Sequence, residues 1–200
     1  MSGSRPVAGR LRRRHLVIVL ALLGVAAAVV LAIAWLPGPR AALPPGPSPS
    51  APIVDGPGTG LPIHRLTPGT VNPSVTPATL ATTICKSGWA TSVRPPSAYT
   101  SALKIIQIRE YGYTDTNTRD YQEDHLVPLE VGGATRDPAN LWPQPNLTVL
   151  ADGTRIEASQ KDNLEDYLHA EVCAGRMPLT DAQRLIAGDW FAAWRAAGGP

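Results

Sequence analysis

A carboxylate and an imidazole stand side by side at Asp124 and His125, inside the stretch DYQEDHLVPLEVGGATRDPANLWPQP over residues 120–145. Neighbours on a regular strand point to opposite faces, so the two cannot form a simple hydrogen-bonded dyad and must serve different partners. An imidazole near its ordinary pKa is a suitable general base at neutral pH. A carboxylate suits a hard cation such as Mg²⁺, which takes oxygen ligands and keeps several waters, so that one or two carboxylates suffice. Together these groups fit metal-assisted hydrolysis of a phosphodiester. An Asp-His pair also recurs by chance, so its surroundings carry the argument.

Those surroundings read as a hairpin. Strand one carries His125, the apolar run Leu126–Leu129 holds it on a core, Gly132-Gly133 permits the turn, and strand two starts near Asn140. Upstream, the β-branched residues around Trp89 predict a short strand before Pro95-Pro96. A helix capped by Ser97 and ended by Gly112 follows, with Ala98, Ala102, Ile105, Ile106 and Ile108 as its apolar stripe. Residues 112–123 read as a polar loop and 145–153 as irregular chain. A further helix runs from Thr154 or Ser159 to Ala174, with Leu164, Leu168 and Val172 at helical spacing. Lys161, Asp162, Glu165, Asp166 and His169 fall on its other faces, with Glu165 and Asp166 expected in solvent. A last helix begins at Thr180, which forms a capping box with Gln183, and buries Leu185, Ile186, Trp190 and Trp194. Trp142 either lines the Asp124–His125 region or joins the core. Two strands cannot build a large sheet, so the expected class is α+β with a small sheet and flanking helices.

The 200 residues suffice for one domain with a real core. The formal charge of +2 is unevenly spread. Residues 1–79 hold seven Lys/Arg and one acid, leaving 11 basic and 15 acidic residues in the remainder. The basic balance thus belongs to the N-terminal part, which argues against reading the folded part as a nucleic-acid binder on charge alone. Residues 1–15 are basic, and residues 16–36, LVIVLALLGVAAAVVLAIAWL, carry no charge. At about 1.5 Å per residue this run reaches roughly 31 Å, enough for a bilayer core. The flanking arginines place residues 1–15 in the cytoplasm and the chain after residue 37 outside. Residues 16–36 are therefore expected as a transmembrane helix or signal anchor, with Ala32-Ile33-Ala34 offering a cleavage site that would release the rest. Residues 37–79 hold 12 of the 21 prolines and read as an extended linker in which His64 is solvated and idle. The folded domain is then residues 80–200.

DHLVPLEVGG followed by NLWPQP resembles the HNH (His-Me finger) endonuclease motif, a ββα unit with an Asp-His pair on strand one. Further stretches, CKSGWATSVRPP, SAYTSALK and KDNLEDYLHAEVCAGR, extend the resemblance to a bacterial group of secreted or membrane-attached HNH-like proteins, over about residues 82–195. The resemblance implies a ββα-metal core that hydrolyses DNA or RNA with a divalent ion, Mg²⁺ first and Mn²⁺ or Zn²⁺ as alternatives, and no nucleotide cofactor. It makes His125 the general base, Asp124 the first metal ligand, and Asn140 the residue that braces the loop and orients the base. The helix ligand departs from the pattern, because no His follows Asn140 at short distance. Asp162 is the favoured second ligand, then Asn163, then His169. Lys161 is a candidate for neutralising phosphate charge in the transition state. If no helix residue completes the site, the scaffold is expected to persist as an exported binding module without catalysis. Cys85 and Cys173 are expected to pair as a disulfide in an exported domain.

Overall fold

The Asp-His stretch forms the end of strand β1 (Tyr121–His125), which pairs antiparallel with β2 (Leu141–Pro145). His125 lies opposite Leu141 and Asp124 opposite Trp142. The computed structural model describes residues 55–199. The expected N-terminal segment, membrane span and first part of the linker lie outside those residues. Among the described residues no helix is long and apolar enough to cross a membrane.

The architecture is α+β, with two separate two-stranded sheets and five helices among the described residues. In chain order α1 (Trp89–Val93) and α2 (Ser97–Glu110) precede the β1–β2 hairpin. A second small hairpin follows, β3 (Leu147–Val149) with β4 (Arg155–Glu157). The chain then forms α3 (Ala158–Cys173), α4 (Leu179–Ala187) and α5 (Trp190–Ala196). The core gathers Leu126, Val127, Val131, Trp142, Leu164, Leu168, Ile186 and Trp190, so the turn after His125 packs on α3 and α4, and α5 adds Trp190 to the same core.

Several expectations change. Trp89 starts a short helix, not a strand. Strand β1 begins at Tyr121, inside the stretch read as loop, and the segment after Trp142 contains β3. Helix α3 starts at Ala158, and Glu157 and Gln160 close its capping box reciprocally. The single last helix is two, broken at Gly188 and restarted by Asp189, whose carboxylate accepts from the Ala192 N–H at 2.8 Å. The Thr180–Gln183 box does not form, because the helix begins behind Pro178 and the Gln183 amide donates to the Val131 carbonyl.

Helix α2 turns its expected apolar stripe outward. Ala98, Ala102, Ile105 and Ile106 are exposed, and only Ile108 of that set is buried. The buried side instead carries Gln107 and Ile108, with Tyr111 just beyond the helix end. The reason is the partner. A two-stranded sheet leaves backbone carbonyls unpaired, and the Gln107 amide donates to those of Leu141 and Pro138, while Lys104 donates to that of Tyr121. Polar side chains at helical spacing thus do the docking.

The expected linker also folds back from residue 55 onward. Leu61, Thr67 and Val75 are buried, so the domain begins well before residue 80. His64 is engaged, its Nδ1 3.1 Å from Asp55 and its Nε2 donating to the Ala187 carbonyl at 2.8 Å. Low apolar periodicity hid this stretch, which is held by turns and by hydrogen bonds such as Trp190 Nε1 to the Gly60 carbonyl.

Cys85 and Cys173 form a disulfide joining the segment ahead of α1 to the end of α3. The bond spans 88 residues, and constraining an unfolded chain over such a loop stabilises by about 4–5 kcal/mol. Cys85→Ser with Cys173→Ser is expected to lower the unfolding free energy by about that amount. Denaturant titration of the two proteins in parallel measures it, and an unchanged midpoint would refute the estimate.

Candidate functional site

The site is built around an ammonium that never meets solvent. Lys161, in the first turns of α3, has a side chain 0% exposed. Its Nζ lies 2.7 Å from Asp124 Oδ2, donates to the His125 backbone carbonyl at 2.8 Å, and pairs with Glu165 one turn along the helix. One side chain therefore ties α3 to both residues of the Asp-His pair. Burial pulls the Lys161 pKa down, but Asp124 and Glu165 push it up by more, and the ammonium stays charged. Burial raises the Glu165 carboxyl well above the ordinary range, against the pull of Lys161. Two expectations are corrected here. Lys161 is sealed and cannot contact a phosphate. Glu165 is an inner partner, 15% exposed, and not part of a solvated face.

His125 turns to a different partner, as strand alternation requires. Its Nε2 lies 3.0 Å from the Thr135 carbonyl. A carbonyl only accepts, so Nε2 carries the hydrogen and the lone pair of the neutral ring sits on Nδ1. Burial lowers the His125 pKa, with Arg94 and Lys161 adding to the effect and the Thr135 bond and Asp124 opposing it. The ring is thus neutral at neutral pH, with one nitrogen fixed and the other able to take a proton.

Asn140 is fully buried and closes the loop between the strands. Its Oδ1 accepts from the Val127 N–H at 2.9 Å, and its amide donates to the carbonyls of Val127 and Ala134 at 2.9 and 3.0 Å. Ala134 precedes Thr135, so Asn140 braces the loop one residue before the carbonyl that orients His125. Gly133 is required by close approach, because a Cβ there would overlap the Val127 carbonyl and crowd the Asn140 amide. Gly132 before it has φ of +83°, a conformation that favours glycine.

Of the helix candidates, Asp162 lies at the surface beside this cluster. Its carboxyl is raised by burial and then by the charge of Asp124, so the two carboxylates feel each other. Asn163 is exposed. His169 is committed elsewhere, its Nε2 bonded to the Ile84 carbonyl beside the disulfide. Trp142 is fully buried in the core and lines no open site. Among the described residues no group of three or more His, Cys, Asp or Glu side chains is arranged to hold a metal ion.

Sequence reasoning missed Glu123. Both its carboxylate oxygens are buried with no hydrogen-bond partner, and its pKa is pushed up to about 8 by burial and then by Asp124, with Lys104 opposing. Its place on the strand beside two polar neighbours gave no signal that this carboxyl would be covered. In the sequence Arg94 stands among several arginines able to contact phosphate or to balance acids, with nothing to single it out; its guanidinium lies 3.5 Å from Glu130, in the turn that follows His125.

No protein-family model, curated protein or solved structure matches the chain.

Two outcomes follow. Lys161→Met leaves two covered carboxylates without a counter-ion, and removing one partner of a buried pair costs about 3–5 kcal/mol. Urea denaturation is expected to show that loss, with partial recovery when Asp124→Asn and Glu165→Gln are added; a neutral single substitution would contradict the geometry. Glu123 binds its proton more tightly folded than unfolded, so the folded state holds the extra proton between pH 4.5 and about 8. Its contribution is therefore full below pH 4.5 and is lost as pH rises through 8. Glu123→Gln is expected to flatten that decline and to stabilise the protein at pH 8 by a few kcal/mol, at about 1.4 kcal/mol per pKa unit. Identical pH–stability curves for the two proteins would rule this out.

Proposed function

We propose that this protein is an HNH-like endonuclease that hydrolyses phosphodiester bonds of DNA or RNA with a divalent metal ion. The observation that carries the reading is His125, a neutral imidazole locked through Nε2 on a braced carbonyl, with Asp124 fixed beside it. In this scheme Nδ1 of His125 takes a proton from water as the water oxygen attacks phosphorus. The P–O bond to the departing nucleoside oxygen breaks, that oxygen takes a proton from a solvent water, and His125 later returns its own proton to solvent. Asn140 braces the loop that carries Thr135, through the carbonyl of the adjacent Ala134. Lys161 sets the height of both Asp124 and the His125 backbone.

Asp124 and Asp162 are the residues that would hold the cation. The local charge supports the fit. Asp124, Asp162, Glu165 and Glu130 face Lys161 and Arg94, so carboxyl groups outnumber basic side chains by two around this position. Two carboxylates with the remaining positions filled by water suit Mg²⁺ or Mn²⁺; Zn²⁺ ordinarily takes three or four protein ligands. A divalent ion there would stabilise the charge growing on the leaving oxygen.

The proposal includes the setting. Residues 16–36 anchor the chain in a bacterial membrane, with the domain outside or released by cleavage. The disulfide supports this, since such bonds persist in oxidising compartments. A second reading, an exported binding module that does not cut, is favoured by one observation: the absence of a three-ligand metal cluster among the described residues.

The full chain, with its disulfide formed, is tested on supercoiled plasmid and on single-stranded RNA with Mg²⁺, Mn²⁺, Zn²⁺ or EDTA. Cutting is expected with metal and not with EDTA, and His125→Ala is expected to slow it by about 10²–10⁴-fold. No cutting with any metal by folded protein would replace the nuclease with the binding module.

A further inference from the structure

Sealing Lys161 inside the protein leaves the site with no cation of its own for a substrate phosphate. We propose that Arg94 supplies it, as the residue that grips the phosphodiester at the mouth of the His125 site. This rests on the nucleic-acid reading given above.

Four observations place Arg94 in that role. Its side chain is 57% exposed, in contrast to Lys161. Its ion partner, Glu130, sits in the 3-10 turn Leu129–Val131 that continues the chain from His125 and packs on α3. At 3.5 Å and near solvent that pair is weak, so an arriving phosphate can displace it at little cost. Helix α1, which Arg94 ends, also packs on the Leu129–Val131 turn that follows His125, whereas the Arg136 guanidinium lies over the Tyr99 ring.

The backbone beneath Arg94 is preset. Residue 94 caps α1 in an extended conformation, φ −61° and ψ 131°, and Pro95-Pro96 behind it disfavours any return to helix. The disulfide at Cys85 ties the segment leading into α1 to α3. A guanidinium on such a rigid corner can meet two phosphate oxygens with parallel N–H donors, which a lysine ammonium cannot reproduce. Glu130 then acts as a placeholder that keeps the guanidinium aimed while no substrate is bound.

The test uses the full chain carrying His125→Ala, which removes the base, and a short fluorescent single-stranded DNA as probe. Binding is measured by anisotropy over a salt series, alongside cutting rates in the His125 background. Arg94→Ala is expected to weaken binding about tenfold or more and to lower the slope of log affinity against log salt by about 0.7, the loss of one phosphate contact. Arg94→Lys is expected to restore the slope but only part of the affinity. Glu130→Gln is expected to bind at least as tightly as its parent, since it frees the guanidinium. Arg184→Ala, at an exposed arginine of α4 paired with Asp181, is the control and should change nothing. If Arg94→Ala binds like its parent while the protein binds and cuts DNA, the Arg94 role is wrong and the nuclease reading stands. A loss in Glu130→Gln equal to that in Arg94→Ala would make the pair merely structural and overturn the proposal. No binding by any protein, with no cutting, would overturn both.

Discussion

The structure depends on one buried ammonium. Taking a lysine out of water costs several kcal/mol unless its charge is met, and here it is met by Asp124, Glu165 and the His125 carbonyl. The geometry that results is specific. An apolar residue at position 161 could fill the space between α3 and the hairpin, but it could not fix both the side chain of Asp124 and the backbone of His125. The interaction therefore works as a positioning device more than as a source of stability. It sets the register between β1 and α3, and so the distance between the groups proposed for catalysis.

The opposite side of the hairpin obeys a different constraint. Two strands cannot satisfy their own outer carbonyls, so α2 docks with Lys104 and Gln107 donating to the strands. In the loop that joins the strands, Asn140 binds the chain to itself through three hydrogen bonds. Gly133 must be bare for that contact to close. The apolar run Leu126–Leu129 then buries the loop in the core that α3 and α4 cover. Each constraint converges on the same few residues, which explains why a small sheet can hold a precise site.

Much of this was legible in the residues. The Asp-His pair, the Gly-Gly turn and Asn140 sit where the hairpin reading puts them, and the helix carrying Leu164, Leu168 and Val172 is real. What stayed hidden has physical causes. Lys161 reads as a surface residue because lysine is almost never buried unless paired, and its partners lie 37 residues away at Asp124 and one turn on at Glu165. Helix α2 misled because its buried face is polar. Residues 55–79 misled because turns and side-chain bonds, which have no period, hold them in place. Glu123 was hidden for the opposite reason, since alternation along β1 says which face it takes but not that the face is covered. Asp162 was legible as a partner of Asp124 through the family resemblance, and in the fold the two carboxylates lie near enough to feel each other's charge.

The most direct measurement is of Lys161 itself. Nuclear magnetic resonance of ¹⁵N-lysine-labelled protein, with Lys161→Met used to assign the signal, should show one charged ammonium in slow exchange with water at neutral pH. It should remain charged at least as far up in pH as a free lysine does, because Asp124 and Glu165 hold the proton. A Lys161 signal that exchanges freely, or that loses its proton near neutral pH, would show that the ammonium is not enclosed by its two carboxylates, and the account of how this site is positioned would fail.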